Sequence, residues 1–142
     1  MLGLLVLTHG NFAEELVNAA RTIVEDATAL EAVSIGWNEN VGECSRRIDE
    51  AVGRVDQGQG VLVLTDMFGG TPTNLALSLL DAGRVEIVTG VNLPMLIKFT
   101  NLRREMTLPD AARAIAAQGR EAIQVASELL ESSDAEAPES GD

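Results

Sequence analysis

Residues 4–10 read Leu-Leu-Val-Leu-Thr-His-Gly, and residues 61–70 read Val-Leu-Val-Leu-Thr-Asp-Met-Phe-Gly-Gly. Each stretch is a short apolar run that ends in a threonine and one ionisable residue, His9 in the first and Asp66 in the second. Apolar runs of this length are typical of parallel strands that are buried on both faces. The two stretches therefore predict strands that deliver His9 and Asp66 to a site at the end of a sheet.

The rest of the chain alternates between strand and helix patterns. We predict strands at 2–8, 29–35, 60–65 and 84–89, with helices that begin near residues 12, 41, 72, 92 and 108. This alternation favours a doubly wound α/β fold with a mainly parallel four-stranded sheet in the order 2-1-3-4 and helices on both faces. In that order the carboxyl ends of strands one and three flank the crevice where such sheets bind ligands.

Helical periodicity predicts which side chains face the sheet. The expected inward residues are Phe12, Leu16, Ala19, Ile23 and Val24 in the first helix, Val41, Cys44, Ile48, Val52 and Val55 in the second, and Leu75, Leu79 and Leu80 in the third. Asn11 and Glu14 have the spacing of a capping box at the start of the first helix.

The end of the chain is ambiguous by pattern. Ala122, Ile123, Ala126, Leu129 and Leu130 fit a helix, whereas the alternation around Ile123 and Val125 fits a strand, and periodicity leaves both open. We expect one domain over residues 1–131, followed by a disordered acidic tail at 132–142, where large apolar residues are absent.

Composition excludes several classes of partner. The formal net charge of −12 argues against binding to nucleic acid or to an anionic membrane surface. A single cysteine, Cys44, excludes an intrachain disulfide, and one histidine with one cysteine does not supply the usual zinc ligands. We expect no metal or other cofactor. The sequence shows no signal peptide and no long apolar run, so we expect a cytoplasmic protein without direct membrane insertion.

A histidine beside a carboxylate has a specific chemical use. If Asp66 accepts a hydrogen bond from one ring N–H of His9, the other ring nitrogen presents its lone pair as a nucleophile. Gly69, Gly70 and Thr71 open the third helix, where backbone N–H groups suit phosphoryl oxygens. The alternatives are an ordinary loop histidine with a helix-capping aspartate, or a receiver-like domain phosphorylated on Asp66. Against the receiver alternative, this sequence has Thr8 and His9 at the end of strand one, where receiver domains carry a pair of acids.

Three blocks of sequence carry a resemblance to a known family. Residues 8–16, 65–74 and 90–96 resemble the enzyme IIA (EIIA) component of the mannose/fructose/sorbose class of the bacterial phosphoenolpyruvate-dependent sugar phosphotransferase system (PTS), and the similarity extends over about residues 2–130.

The resemblance implies a phosphotransferase that works through a phosphohistidine. His9 would accept a phosphoryl group on Nε2 from the phosphocarrier HPr and pass it to a histidine of a IIB component. Asp66 would bind Nδ1, while Thr65, Gly69, Gly70 and Thr71 would line the phosphate. The family also implies a homodimer that exchanges an antiparallel last strand, here Glu121 to Ala126.

The resemblance leaves one alternative function open. Many relatives continue into a fused IIB domain, whereas this chain ends in an acidic tail, so we expect IIB to be a separate protein. A regulatory EIIA-like protein of an incomplete phosphotransferase system, which signals by its phosphorylation state without sugar transport, is the alternative.

Overall fold

Strands and helices alternate along residues 1–67, 71–81 and 83–132, which the computed structural model describes. The strands are β1 (Gly3–His9), β2 (Leu30–Ile35), β3 (Val61–Thr65) and β4 (Val85–Thr89). The helices are α1 (Phe12–Ile23), α2 (Val41–Val55), α3 (Thr71–Leu77), α4 (Leu93–Leu102) and α5 (Leu108–Glu121), and residues 126–132 are also helical. The predicted order of strands and helices is confirmed.

The sheet is parallel and has the order β2-β1-β3-β4, as predicted. Helices α1, α4 and α5 cover one face, where Leu4 and Val6 of β1 are buried. Helices α2 and α3 cover the other face, where Leu5 and Leu7 are buried. Each buried leucine contributes about 1.5–3 kcal/mol relative to an exposed one. The apolar run of β1 is therefore continuous because both of its faces are in the core.

The predicted inward faces of the helices need correction. In α1, Leu16 is buried as expected, but Phe12 and Ile23 are exposed, and the buried face is centred on Ala13, Val17 and Ala20. The buried face is therefore rotated by about one residue from the predicted one, and the Ala13 N–H is directed at the buried Thr8 hydroxyl at the end of β1. In α2 the prediction holds except at Val41, which is exposed in the first turn. Leu75 in α3 packs against the core, as does Leu79 in the turn after that helix, whereas Leu80 is exposed.

The predicted capping box at Asn11 is wrong. Within the described residues, the Asn11 side chain makes no capping hydrogen bond. Instead the Thr8 hydroxyl, which is completely buried, accepts a hydrogen bond of 2.7 Å from the Ala13 N–H. A residue at the end of β1 thus satisfies a free donor in the first turn of α1, so the strand end and the helix start form one unit.

The last strand that the resemblance implies, Glu121 to Ala126, is not present in the single chain. Residues 121–126, all of which are described, contain no strand: Glu121 ends α5, Ala122 caps it, and residues 123–125 connect it to the helical residues 126–132. The helical pattern of Leu129 and Leu130 is confirmed there. Ser132, the first residue of the predicted tail, is helical, and residues 133–142 lie outside the described residues.

Two glycines provide a matched test of helix–sheet packing. A Cβ at Gly3 would overlap the carbonyl oxygen of Val55, because β1 and the end of α2 touch there, whereas a Cβ at Gly53 would meet nothing within 4 Å. We expect Gly3→Ala to destabilise the protein by about 1–3 kcal/mol. Gly53→Ala should stabilise it by about 0.5–1 kcal/mol, since alanine favours helix. Urea denaturation of the two variants measures both; equal effects would contradict this packing.

Candidate active site

His9 and Asp66 meet at the carboxyl ends of two neighbouring strands. His9 is the last residue of β1, and Asp66 directly follows β3, which pairs with β1 so that Leu7 lies opposite Thr65. The His9 Nδ1 and Asp66 Oδ2 atoms are 2.9 Å apart. The side chains are 16% and 17% exposed, so both are largely shielded but still open to solvent. The contact that the sheet order predicts is present.

Hydrogen bonds to Asp66 fix its ionisation and the tautomer of His9. Burial alone raises the pKa of Asp66, but hydrogen bonds from the His9 ring, the His9 N–H and the Met67 N–H outweigh it, so the pKa lies below its usual value. An ionised carboxylate only accepts hydrogen bonds, so the proton in the 2.9 Å contact belongs to Nδ1 of His9. The other ring nitrogen, Nε2, then carries a lone pair that can attack an electrophile.

The turn after His9 is held from both sides. Gly10 has a φ of +56°, a left-handed conformation that glycine adopts without strain, and its N–H donates to the Ile35 carbonyl at the end of β2. The bond from the Ala13 N–H to Thr8 anchors the other end of the turn. The imidazole is therefore presented by a short backbone segment with little freedom to move.

Residues 90–96, the third block of sequence that resembles the family, support the site from behind the end of β3. The Val91 N–H donates to the Thr65 carbonyl, which ties this block to the end of β3. The Asn92 side chain caps α4 by accepting from the Met95 N–H, and its amide donates to the Gly119 carbonyl of α5. Asn92 thereby fixes two helices relative to the strand end that carries Asp66.

An aromatic contact covers one face of the imidazole. The rings of His9 and Trp37 are stacked, with centroids 4.9 Å apart and planes at 20°. A cavity of about 280 Å³ opens beside them, lined by His9, Ile35, Gly36, Trp37, Glu39, Val41 and Cys44. The sequence pattern places Trp37 in a polar turn and misses this contact. The available signal is that Trp37 follows β2, whose Ile35 pairs with His9, so both leave the sheet at the same edge.

The structure does not test the predicted phosphate contacts of the other site residues. Thr65 is completely buried at the end of β3. Thr71 is the first residue of α3, and Gly69 and Gly70 lie outside the described residues. The roles of these four residues at a phosphate stay predictions.

Over the described ranges, no three His, Cys, Asp or Glu side chains are grouped to hold a metal ion. In the same ranges, no helix has the length and hydrophobicity of a membrane span.

Comparison with known proteins gives matches over most of the chain. The family model EIIA-man, described as the PTS system fructose IIA component, matches residues 3–116. The fructose-specific EIIA component of the PTS of Bacillus subtilis strain 168 is 31% identical over 132 residues, which are 92% of this chain and 90% of that protein. The mannose-specific EIIAB component of Escherichia coli strain K12 is 29% identical over 130 residues, covering 87% of this chain and 39% of that protein.

A solved structure agrees with these matches. The PTS IIA protein associated with the fucose utilization operon of Streptococcus pneumoniae superposes with a TM-score of 0.79 at 28% identity, over 91% of this chain and 96% of that one. The fold, the site and the sequence matches together define a component of the sugar phosphotransferase system, a class whose members take part in phosphoryl transfer. Within that class, the chain belongs to the EIIA family of the mannose and fructose type.

Proposed function

We propose that this protein is a phosphoryl carrier that accepts a phosphoryl group from phosphorylated HPr on Nε2 of His9 and passes it to a IIB component. The observation that carries the proposal is the 2.9 Å contact between Nδ1 of His9 and the carboxylate of Asp66. It leaves Nε2 as the nucleophile and places a negative charge where the ring becomes positive. Residues 1–131 would form the carrier domain, acting in the cytoplasm.

The transfer step requires little beyond this pair. The Nε2 lone pair forms a bond to phosphorus while the P–N bond to the donor histidine breaks, and its electron pair returns to the donor nitrogen. The Nδ1 proton stays on His9 and remains hydrogen-bonded to Asp66. Passing the group to IIB is the same step in reverse with a different histidine. Catalysis then depends on positioning and charge stabilisation.

Exposed apolar side chains beside the site support transfer between docked proteins. Trp37, Val41 and Met67 are 79%, 59% and 57% exposed, although each is a large hydrophobic residue. Such side chains next to a reactive group mark a surface that a partner covers, and covering it would exclude water from the phosphoryl group. A regulatory EIIA-like protein would use the same chemistry at the same residues.

Transfer assays with labelled phospho-HPr test the proposal. We expect one labelled phosphoryl group per chain, stable in alkali and lost in acid, which moves to IIB when that component is added. A label destroyed by base and hydroxylamine would instead identify an acyl phosphate on Asp66, as in the receiver alternative. Transport and regulation separate when the gene is deleted: lost sugar uptake indicates transport, and unchanged uptake with altered regulation indicates the alternative.

We also propose that the protein is a homodimer in which residues 121–126 pair with the partner subunit. In the described part of the chain, β4 is an edge strand that pairs along its length with β3, and its Val85 also forms an isolated bridge to Asp81. A cavity of about 430 Å³ lies along β4 and is lined in part by Ile87, Val88 and Ile123. Ile123 and Val125 are 79% and 58% exposed in the single chain. A second copy that covers these side chains would account for an apolar segment otherwise left in water.

Replacing the exposed residues tests the dimer. The double variant Ile123→Ser/Val125→Ser should shift the protein from dimer to monomer, because each substitution removes apolar area from the proposed interface. Light scattering after size-exclusion chromatography measures the mass. Ile23→Ser is the matched control, since Ile23 is 55% exposed on a different surface. A monomeric wild-type protein, or an equal effect of the control, would contradict this arrangement.

A further inference from the structure

Trp37 is the only tryptophan in the chain, and it is stacked on the only histidine. Burial does not explain its position, because 79% of the residue is exposed. The indole lies over the imidazole since the backbone brings it there: β2 ends at Ile35, which pairs with His9 in the sheet. The contact is therefore made by the loop that follows β2 and is independent of core packing.

Hydrogen bonds hold this loop in place. One carboxylate oxygen of Glu39 accepts from the Gly36 N–H at 2.9 Å, and the other accepts from Arg47 at 2.6 Å and from the Cys44 thiol at 3.2 Å. Arg47 also donates to the Ser34 carbonyl of β2 at 3.1 Å. Glu39 thus ties the loop that carries Trp37 to the first turns of α2 and to β2. The Trp37 indole is therefore carried by a loop that hydrogen bonds hold in place beside the His9 imidazole.

We propose that Trp37 is a positioning residue for phosphoryl transfer, whose indole face fixes the His9 imidazole and stabilises the positive charge that the ring carries while Nε2 is bonded to phosphorus. The inference rests on the proposed function of His9. Asp66 holds the ring at one edge through Nδ1, and Trp37 holds it at one face, so together they restrict rotation of the imidazole about both of its side-chain torsions.

The charge argument follows from where the protons lie. After transfer, Nδ1 keeps its proton for Asp66 while Nε2 holds phosphorus, so the ring is a cation. The π face of an indole is negative and attracts a cation stacked on it. Two other titratable groups line the cavity beside His9 and Trp37. Glu39 is paired with Arg47, and burial, then the hydrogen bond to Glu39, raises the pKa of the Cys44 thiol and keeps it neutral.

Two variants separate the π face from simple bulk. Wild type, Trp37→Phe and Trp37→Leu, each as the full chain, are equilibrated with phosphorylated HPr, and the equilibrium constant for transfer to His9 is measured. Leucine keeps an apolar side chain without a π face, so we expect the constant to fall about threefold, the size of an exposed cation–π contact. Phenylalanine should restore most of it. In NMR spectra, the indole should shift the His9 ring protons upfield in wild type, and the Leu variant should lose the shift.

The equilibrium constant distinguishes stabilisation of the cationic ring by Trp37 from a role in docking, because only an interaction that is stronger with the phosphorylated ring changes it. A docking residue changes the rates in both directions equally and leaves the equilibrium unchanged, so that result would overturn the proposal. An unshifted His9 spectrum in wild type would also overturn it, because the stack would be absent. If phosphorylated HPr does not label the wild type at all, the proposed function itself fails; wild-type labelling with identical equilibrium constants in all three proteins removes only the role of Trp37.

Discussion

His9→Gln should abolish phosphoryl transfer from HPr, with no label detectable on the chain. The sequence contains one histidine, so no second imidazole is available to accept the group. Glutamine keeps a polar side chain of similar length, and its amide is not a nucleophile of comparable strength at neutral pH. The fold should persist, because the His9 side chain is at the surface end of β1 and the strand is held by buried leucines.

The matched control for this variant is Asn11→Ala, two residues away. Asn11 lies in the same turn, is exposed, and within the described residues its side chain makes no capping hydrogen bond. Autoradiography after incubation with labelled phospho-HPr should show normal labelling of the control and none of His9→Gln, with similar thermal unfolding of both. Full labelling of a folded His9→Gln protein would end the carrier proposal.

Asp66→Asn should slow transfer by about 10²- to 10⁴-fold, the upper value being the effect of replacing the carboxylate that orients a catalytic histidine by its amide. An asparagine can present its NH₂ group to Nδ1, which then accepts a hydrogen bond and leaves the proton on Nε2. The nucleophilic lone pair is lost in that tautomer. Rapid-quench measurement of His9 phosphorylation gives the rate. Wild-type rates in this variant would remove the orienting role of Asp66 and leave His9 as the acceptor.

Asp49→Asn is the control for the loss of charge, because Asp49 is an exposed residue on α2.

The pH dependence of stability supplies a second readout for Asp66. The folded pKa of Asp66 is lowered, so its ionised form stabilises the fold above the ordinary aspartate value of 3.8, and this contribution is lost as pH falls through the folded value. Denaturant unfolding should therefore show wild type losing more stability than Asp66→Asn on acidification from neutral pH.

Much of the site could be predicted because parallel sheets follow general rules of connection. Once residues 4–10 and 61–65 are strands and helices cover both faces, β1 and β3 become neighbours, and their carboxyl ends bring His9 and Asp66 together. The prediction needed no knowledge of any side-chain contact. It failed for the cap of α1, since Asn11 has the right local spacing but the buried Thr8 hydroxyl lies closer to the free donor.

The sequence by itself determined the class of fold and the two ionisable residues at its crevice, because continuous apolar runs and the residues that end them are local properties. Only the tertiary structure decided which face of α1 is buried, how Asp66 sets the tautomer of His9, and that Trp37 stacks on the imidazole. Those features depend on distances between segments far apart in the chain, which are set when α1 and α2 pack against the sheet and the loop after β2 is fixed by Glu39.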